Sequence, residues 1–191
     1  MDQKLTQAAS DCLKFVVYGP ESTGKTTLAQ QLAEYYQTEW VPEYSRAYLQ
    51  QKWDETATIC EVSDLMPIAV GQMAAENAAA AKANRVLFLD TNVRTTVLYA
   101  HHYYGACPRA LTDVLVGQAY ELYFLTDIDV PWVADDLRDE PDGREVLLAK
   151  FKLDLVLNGL PYVLLQGDEA ARLAQAVTVV DAYLASAEAQ G

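Results

Sequence analysis

The chain is poor in positive charge. Lys and Arg number 14 against 27 Asp and Glu, a formal charge of −13 over 191 residues. A sequence-independent grip on DNA or RNA needs clustered Lys and Arg. Nucleic acid is therefore not expected as a partner, although a local basic pocket remains compatible with the total. Cys12, Cys60 and Cys107 lie far apart, with no CxxC or His–Cys spacing. That excludes a zinc site of the usual spacing and a disulfide framework, and it fits a reducing cytoplasm. His101 and His102 are adjacent and have no partner at ligand spacing. No apolar run approaches the roughly 18 residues of a membrane span, and the first ten residues lack the apolar centre of a signal peptide. No N-K-x-D sequence follows any predicted strand, which removes the guanine-reading element of a regulatory GTPase.

Against these absences stands one complete motif. Gly19-Pro-Glu-Ser-Thr-Gly-Lys-Thr26 fills G-x-x-x-x-G-K-[ST] at every fixed position. It follows the apolar run 15–18 and precedes a segment with Leu28, Leu32, Ala33 and Tyr36 at helical spacing. Strand, glycine loop and helix in that order define a phosphate-binding P-loop. Glycine lets the main chain approach a ligand, successive N–H groups form an anion nest, and the helix points its positive end at the phosphates. Lys25 supplies a movable cation and Thr26 a hard oxygen for Mg²⁺. Gly19, Glu21, Ser22, Thr23, Gly24, Lys25, Thr26 and Thr27 are the expected ATP-binding residues.

The rest of the chain alternates strand and helix. Strands are expected at 14–18, 38–44, 86–90, 121–125 and 161–165. Helices are expected from 27 to 36, at 45–51 with Ser45 as cap, at 64–85, 91–104, 108–120 and 145–157, and toward the C-terminus. This pattern predicts an α/β fold of the P-loop NTPase kind: a five-stranded parallel sheet with helices on both faces. Residues 1–13 read as a loose leader or short helix, 14–187 as one domain, and the charged stretch 127–144 as a lid segment. Ligands in such sheets bind beyond the strand C-terminal ends. The informative acids sit there.

Asp90 ends an apolar strand, so it can hold Mg²⁺ directly or through water, or cap the helix that follows. Glu43 can accept a proton from an acceptor hydroxyl, bind a ribose hydroxyl, or pair with Arg46 on the surface. Arg46 can also neutralise transferring phosphate charge. Arg138 and Arg144 flank the lid acids, where a kinase delivers arginines to the phosphates. Trp132 can clamp a flat ring or anchor the loop. A kinase needs an acceptor-side base, a metal-side carboxylate and a cationic lid, and each has a candidate. An assembling or mechanical ATPase usually carries coupling domains, for which there is little room.

Four segments together resemble a known family: Gly19–Thr26, Pro42-Glu-Tyr-Ser-Arg-Ala-Tyr48, Phe88-Leu-Asp-Thr-Asn-Val-Arg-Thr-Thr96 and Trp132-Val-Ala-Asp-Asp-Leu-Arg138. In this order they are similar to the ribosylnicotinamide kinase domain of NadR-type NAD-salvage proteins. The resemblance implies an ATP- and Mg²⁺-dependent kinase that phosphorylates the 5′-hydroxyl of nicotinamide riboside to give nicotinamide mononucleotide. It implies that Lys25, Glu43, Asp90 and Arg138 are catalytic, and that Thr26 and Asp90 serve the metal. Glu43, Tyr44, Arg46, Asp90, Trp132 and Asp135 would face the riboside, with Trp132 stacked on its ring. Asn92 and Asp136 stand where the family often has Asp and Gly. The family is often fused to an adenylyltransferase domain with an H-x-G-H-type motif, which this sequence lacks, so the expected chemistry stops at the mononucleotide. A kinase for another nucleoside or nucleotide, and a regulatory ATPase sensing NAD metabolites, are the alternatives.

Overall fold

A computed structural model of the chain describes residues 5–132 and 143–189. Its centre is β1 (Leu13–Tyr18), whose residues from Lys14 to Tyr18 are all buried. The apolar run Phe15–Tyr18 has no polar side, which suits a parallel strand covered on both faces. β3 (Val86–Asp90) and β4 (Leu122–Thr126) pair with it in parallel. β2 (Trp40–Val41) and β5 (Tyr162–Leu165) complete the sheet in the order β2-β3-β1-β4-β5. β2 is shorter than the expected 38–44 because Pro42 has no N–H to continue the ladder.

Alternate side chains of each strand point to opposite layers. Phe15, Phe88 and Phe124 pack under α1 (Lys25–Tyr36) and α7 (Glu169–Glu188). Val16, Tyr18, Leu89 and Tyr123 pack against α4 (Val93–Tyr104) and α6 (Arg144–Leu157) on the other side. A third cluster joins α3 (Leu65–Ala80), α4 and α5 (Arg109–Val114). The expected five-stranded parallel sheet with helices on both faces is the observed one.

Several boundaries differ from the sequence reading. α2 spans Tyr44–Thr56 rather than 45–51, and Glu43, not Ser45, is its N-cap residue. Its first free N–H, that of Tyr44, is satisfied from outside by Gln72 Oε1 at 2.8 Å. Ser45 donates instead to Glu43 Oε1. The far end of α2 is held by Lys52, which bonds Asp64 at 2.6 Å and Glu61 at 3.1 Å. α3 stops at Ala80 rather than 85, and Arg85 takes a left-handed turn (φ 65°) into β3. α5 gives way to a 3₁₀ turn at Leu115–Gly117.

The largest difference precedes β1. Residues 5–12, expected to be loose, are stitched down. Leu5 is 2% exposed within the third cluster. Gln7 donates to Glu76 Oε1 at 2.6 Å, and its own Oε1 accepts from the Ala119 amide at 2.9 Å. The Ala8 amide bonds Asn77 Oδ1 at 2.8 Å. Leu5→Ala is therefore expected to lower the unfolding free energy by about 2–4 kcal/mol. Urea denaturation measures it, and a loss below about 0.5 kcal/mol would mean the segment is not part of the core.

Candidate active site

The P-loop leaves β1 at a point where the chain has crossed to opposite sides of that strand. β3 lies on one flank and β4 on the other, which makes this the crevice where such sheets bind ligands. Gly19 (φ 143°) passes so close to β4 that a Cβ there would stand 2.6 Å from Thr126 Oγ1. Only glycine fits that approach. Thr23 locks the loop by donating to the Pro20 carbonyl (2.8 Å) and sharing a hydroxyl bond with Thr126 (2.7 Å). Gly24 stands at the N-cap of α1 in a left-handed conformation. Lys25, 8% exposed, donates to the Pro20 carbonyl at 2.7 Å.

Asp90 lies opposite Val17 in the β1–β3 register and is 1% exposed. Its Oδ2 accepts from the Thr26 hydroxyl at 2.5 Å, while the buried Oδ1 has no hydrogen-bond partner among the described residues. Asp90 is thus not the cap of α4; the N-cap residue is Asn92, whose side chain donates to Tyr123. Thr91 follows Asp90 in a left-handed conformation (φ 67°), a costly geometry for a β-branched residue. Burial pushes the Asp90 carboxyl up to about 6, and the neighbouring Glu43 carboxylate adds to the rise. Lys25, the Thr26 hydroxyl bond and Arg46 pull it the other way. A hydroxyl oxygen bonded to a buried carboxylate with one oxygen to spare is a hard-oxygen donor set that suits Mg²⁺.

One continuous cavity of about 270 Å³ runs from this point. Glu21 to Thr27 form its phosphate end. Glu43 and Arg46 line its middle, beside Gln72 and Thr95. Its far end is aromatic and apolar, with Tyr99, Tyr103 and Tyr104 of α4 facing Leu49 and Ile68. The rings of Tyr99 and Tyr103 lie nearly parallel, 5.8 Å apart. Thr95 Oγ1, buried in this wall, has no hydrogen-bond partner among the described residues.

The site gathers most of the expected residues, with three departures. Tyr44 does not line the cavity; its ring lies across Gly71 of α3, where a Cβ would be 2.1 Å away. Trp132 does not line it either; its indole N–H donates to Glu21 Oε1 at 3.3 Å, against the P-loop. Arg144 is 8% exposed and donates to the Ser22, Ile128 and Val130 carbonyls. Asp135 and Arg138 lie outside the described residues. The tyrosine wall was missed at the sequence level, although Tyr99 and Tyr103 stand four apart on the helix that follows Asp90. Gln72 and Arg172 carried no local signal.

A glycine loop between β1 and α1, Lys25 and Thr26 at its end, and an acid ending the adjacent parallel strand define a P-loop nucleotide-binding domain. The chain belongs to the AAA_28 family, described as an AAA domain, whose model matches residues 14–172. It is 32% identical over 122 residues to the "Trifunctional NAD biosynthesis/regulator protein NadR" of Salmonella typhimurium, covering 64% of this chain and 30% of that protein. The Escherichia coli protein of the same description matches with the same identity and coverage. The chain therefore spans under a third of these relatives. Among solved structures, NadR in complex with NR shares the fold at a TM-score of 0.77 and 23% identity, over 91% of this chain and 52% of that one. Thymidylate kinase from Ehrlichia chaffeensis shares it at 0.62 and 12% identity, over 88% and 98%.

The raised Asp90 carboxyl has a stability consequence. Its ionised form is disfavoured in the folded chain, so the cost is absent below pH of about 4 and complete above about 6. Without nucleotide or metal, Asp90→Asn should be more stable than the parent at pH 7.5 by about 1–3 kcal/mol, with the gap closing toward pH 4. Urea denaturation across that range reads it, and a gap that does not vary with pH would contradict the assignment.

Proposed function

We propose that the chain is an ATP-dependent kinase that transfers the γ-phosphate to the 5′-hydroxyl of nicotinamide riboside, giving nicotinamide mononucleotide. The observation that carries this reading is one cavity lined by P-loop residues 21–27, by Glu43 and Arg46, and by Tyr99, Tyr103 and Tyr104, with Asp90 bonded to Thr26 beside it. The shape gives an acceptor room beyond the point where the γ-phosphate would lie. Relationship to the NadR proteins supports NAD biosynthesis as the setting.

In this reading the hydroxyl oxygen bonds to the γ-phosphorus, the bond from that phosphorus to the departing ADP oxygen breaks, and the hydroxyl proton passes to a carboxylate. Glu43 or Asp90 would take it. Thr26 and Asp90 would hold Mg²⁺, which supplies charge neutralisation to the phosphates. Lys25 and Arg46 add fixed positive charge on the transfer path. Arg138 and Asp135 belong to the proposal by sequence position alone.

At the acceptor end, Glu43 and the faces of Tyr99 and Tyr103 form surroundings that favour a flat cationic ring. The tyrosines take the ring-stacking role the sequence had suggested for Trp132.

Incubation with ATP, Mg²⁺ and a panel of nucleosides, read by mass spectrometry, tests the assignment. Nicotinamide riboside should gain one phosphate faster than uridine, adenosine or thymidine. Equal turnover of uridine would sink the specific reading, and ATP hydrolysis with no phosphorylated acceptor would sink the kinase. Tyr103→Ala should raise the acceptor KM by roughly three- to tenfold, as for loss of one ring contact, with the ATP KM nearly unchanged.

A further inference from the structure

Two buried guanidiniums stand behind the P-loop. Arg172, in the first turn of α7, is 4% exposed, and Arg144, at the start of α6, is 8% exposed. Arg172 Nη1 donates to the Thr23 carbonyl at 2.5 Å, and Nη2 donates to the Asp127 carbonyl at 2.9 Å and to the Asp129 carboxylate. Arg144 Nη2 donates to the Ser22 carbonyl at 3.3 Å. Both of its terminal nitrogens reach the Val130 carbonyl at 3.1 Å. The Asp129 carboxylate in turn accepts from the Gly167 amide at 2.6 Å, which ties this layer to the loop between β5 and α7.

A trans peptide points its C=O and N–H in opposite directions. Ser22, Thr23 and Gly24 line the cavity, while the carbonyls of Ser22 and Thr23 turn outward to the arginines. The N–H groups of Thr23 and Gly24, in those same two peptide units, therefore turn inward. Hydrogen bonds in series polarise one another, and bonds from a cation are the stronger kind. A carbonyl held by a guanidinium leaves its peptide N–H a better donor to an anion.

We propose that Arg172, assisted by Arg144, is a positioning residue for phosphate binding. Arg172 fixes the Thr23–Gly24 peptide plane and Arg144 the Ser22–Thr23 plane, so that their N–H groups face the triphosphate, without either side chain touching the nucleotide. The proposal depends only on phosphate binding at the P-loop, so it stands or falls separately from the acceptor assignment. A fork with two donors is required, because one nitrogen holds the P-loop while the other holds the loop after β4.

The test is titration calorimetry of the full chain with ATP and with inorganic tripolyphosphate, alongside thermal unfolding. Arg172→Gln should weaken both ligands by about ten- to hundredfold, the weight of a lost charged hydrogen bond. Arg172→Lys, which keeps the charge and loses the fork, should recover only part of that loss. Unchanged affinity with a lowered melting temperature would make Arg172 a structural brace and overturn the proposal. Weakened ATP with unchanged tripolyphosphate would place its effect on the base, and full recovery by Lys would show that charge alone suffices; either result overturns it. If Arg172→Gln does not fold, Asp129→Asn serves instead, since that side chain is 36% exposed and lies outside the core. It should weaken both ligands by about two- to fivefold, a fraction of one charged hydrogen bond, and no change would reject the proposal.

Discussion

The parallel pairing of β1 with β3 and β4 at once is the constraint on which the rest depends. The register sets Val17 beside Asp90 and Tyr18 beside Leu125, so the loop leaving β1 emerges between the ends of both neighbours. From one flank comes the Asp90 carboxylate that accepts from Thr26; from the other comes Thr126, which bonds Thr23 and forces Gly19 to be glycine. A slip of one residue in either pairing would invert every side chain of the strand. It would exchange the side chains of the two core layers and remove Asp90 from Thr26. The packing of those two layers and the geometry of the phosphate site are the same specification.

Charge is arranged against the overall balance. The chain carries −13, yet three of its buried cations, Lys25, Arg144 and Arg172, cluster about the P-loop. Burying a charge is costly unless hydrogen bonds replace its water. Arg144 meets that cost with main-chain carbonyls, and Arg172 with main-chain carbonyls and the Asp129 carboxylate. The Glu43 carboxylate adds to the cost of ionising the buried Asp90.

What the sequence made legible was what is local. The P-loop is a contiguous motif, β3 is a contiguous apolar run ended by an acid, and Gly105 ends α4 in a left-handed conformation as its position suggested. Features held by distant partners were hidden. α2 continues past Gln51 because Lys52 finds Asp64 and Tyr48 finds the same carboxylate, neither of which its weak apolar period could announce. The segment before β1 looks featureless until Gln7 meets Glu76 and Ala119. Trp132 was assigned to the ring site from its motif, but the loop carries it to Glu21 instead. Tyr99 and Tyr103 looked like ordinary helix residues, since nothing local says which side of α4 faces a cavity rather than solvent.

The two ends of the cavity are also supported differently. The phosphate end is built on three sheet strands and braced by two guanidiniums, so its backbone has little room to adjust. At the acceptor end, α2 is clipped to α3 by Gln72 on the Tyr44 amide and by the Lys52–Asp64 pair, with Tyr44 resting on Gly71. None of these contacts involves the sheet. A change in Leu49, Ile68 or Tyr103 can therefore reshape the acceptor wall without disturbing Thr26, Asp90 or the loop amides. In the proposed kinase, chemistry and selectivity would be physically separable: the P-loop would fix what is transferred, and the packing of α2, α3 and α4 what receives it.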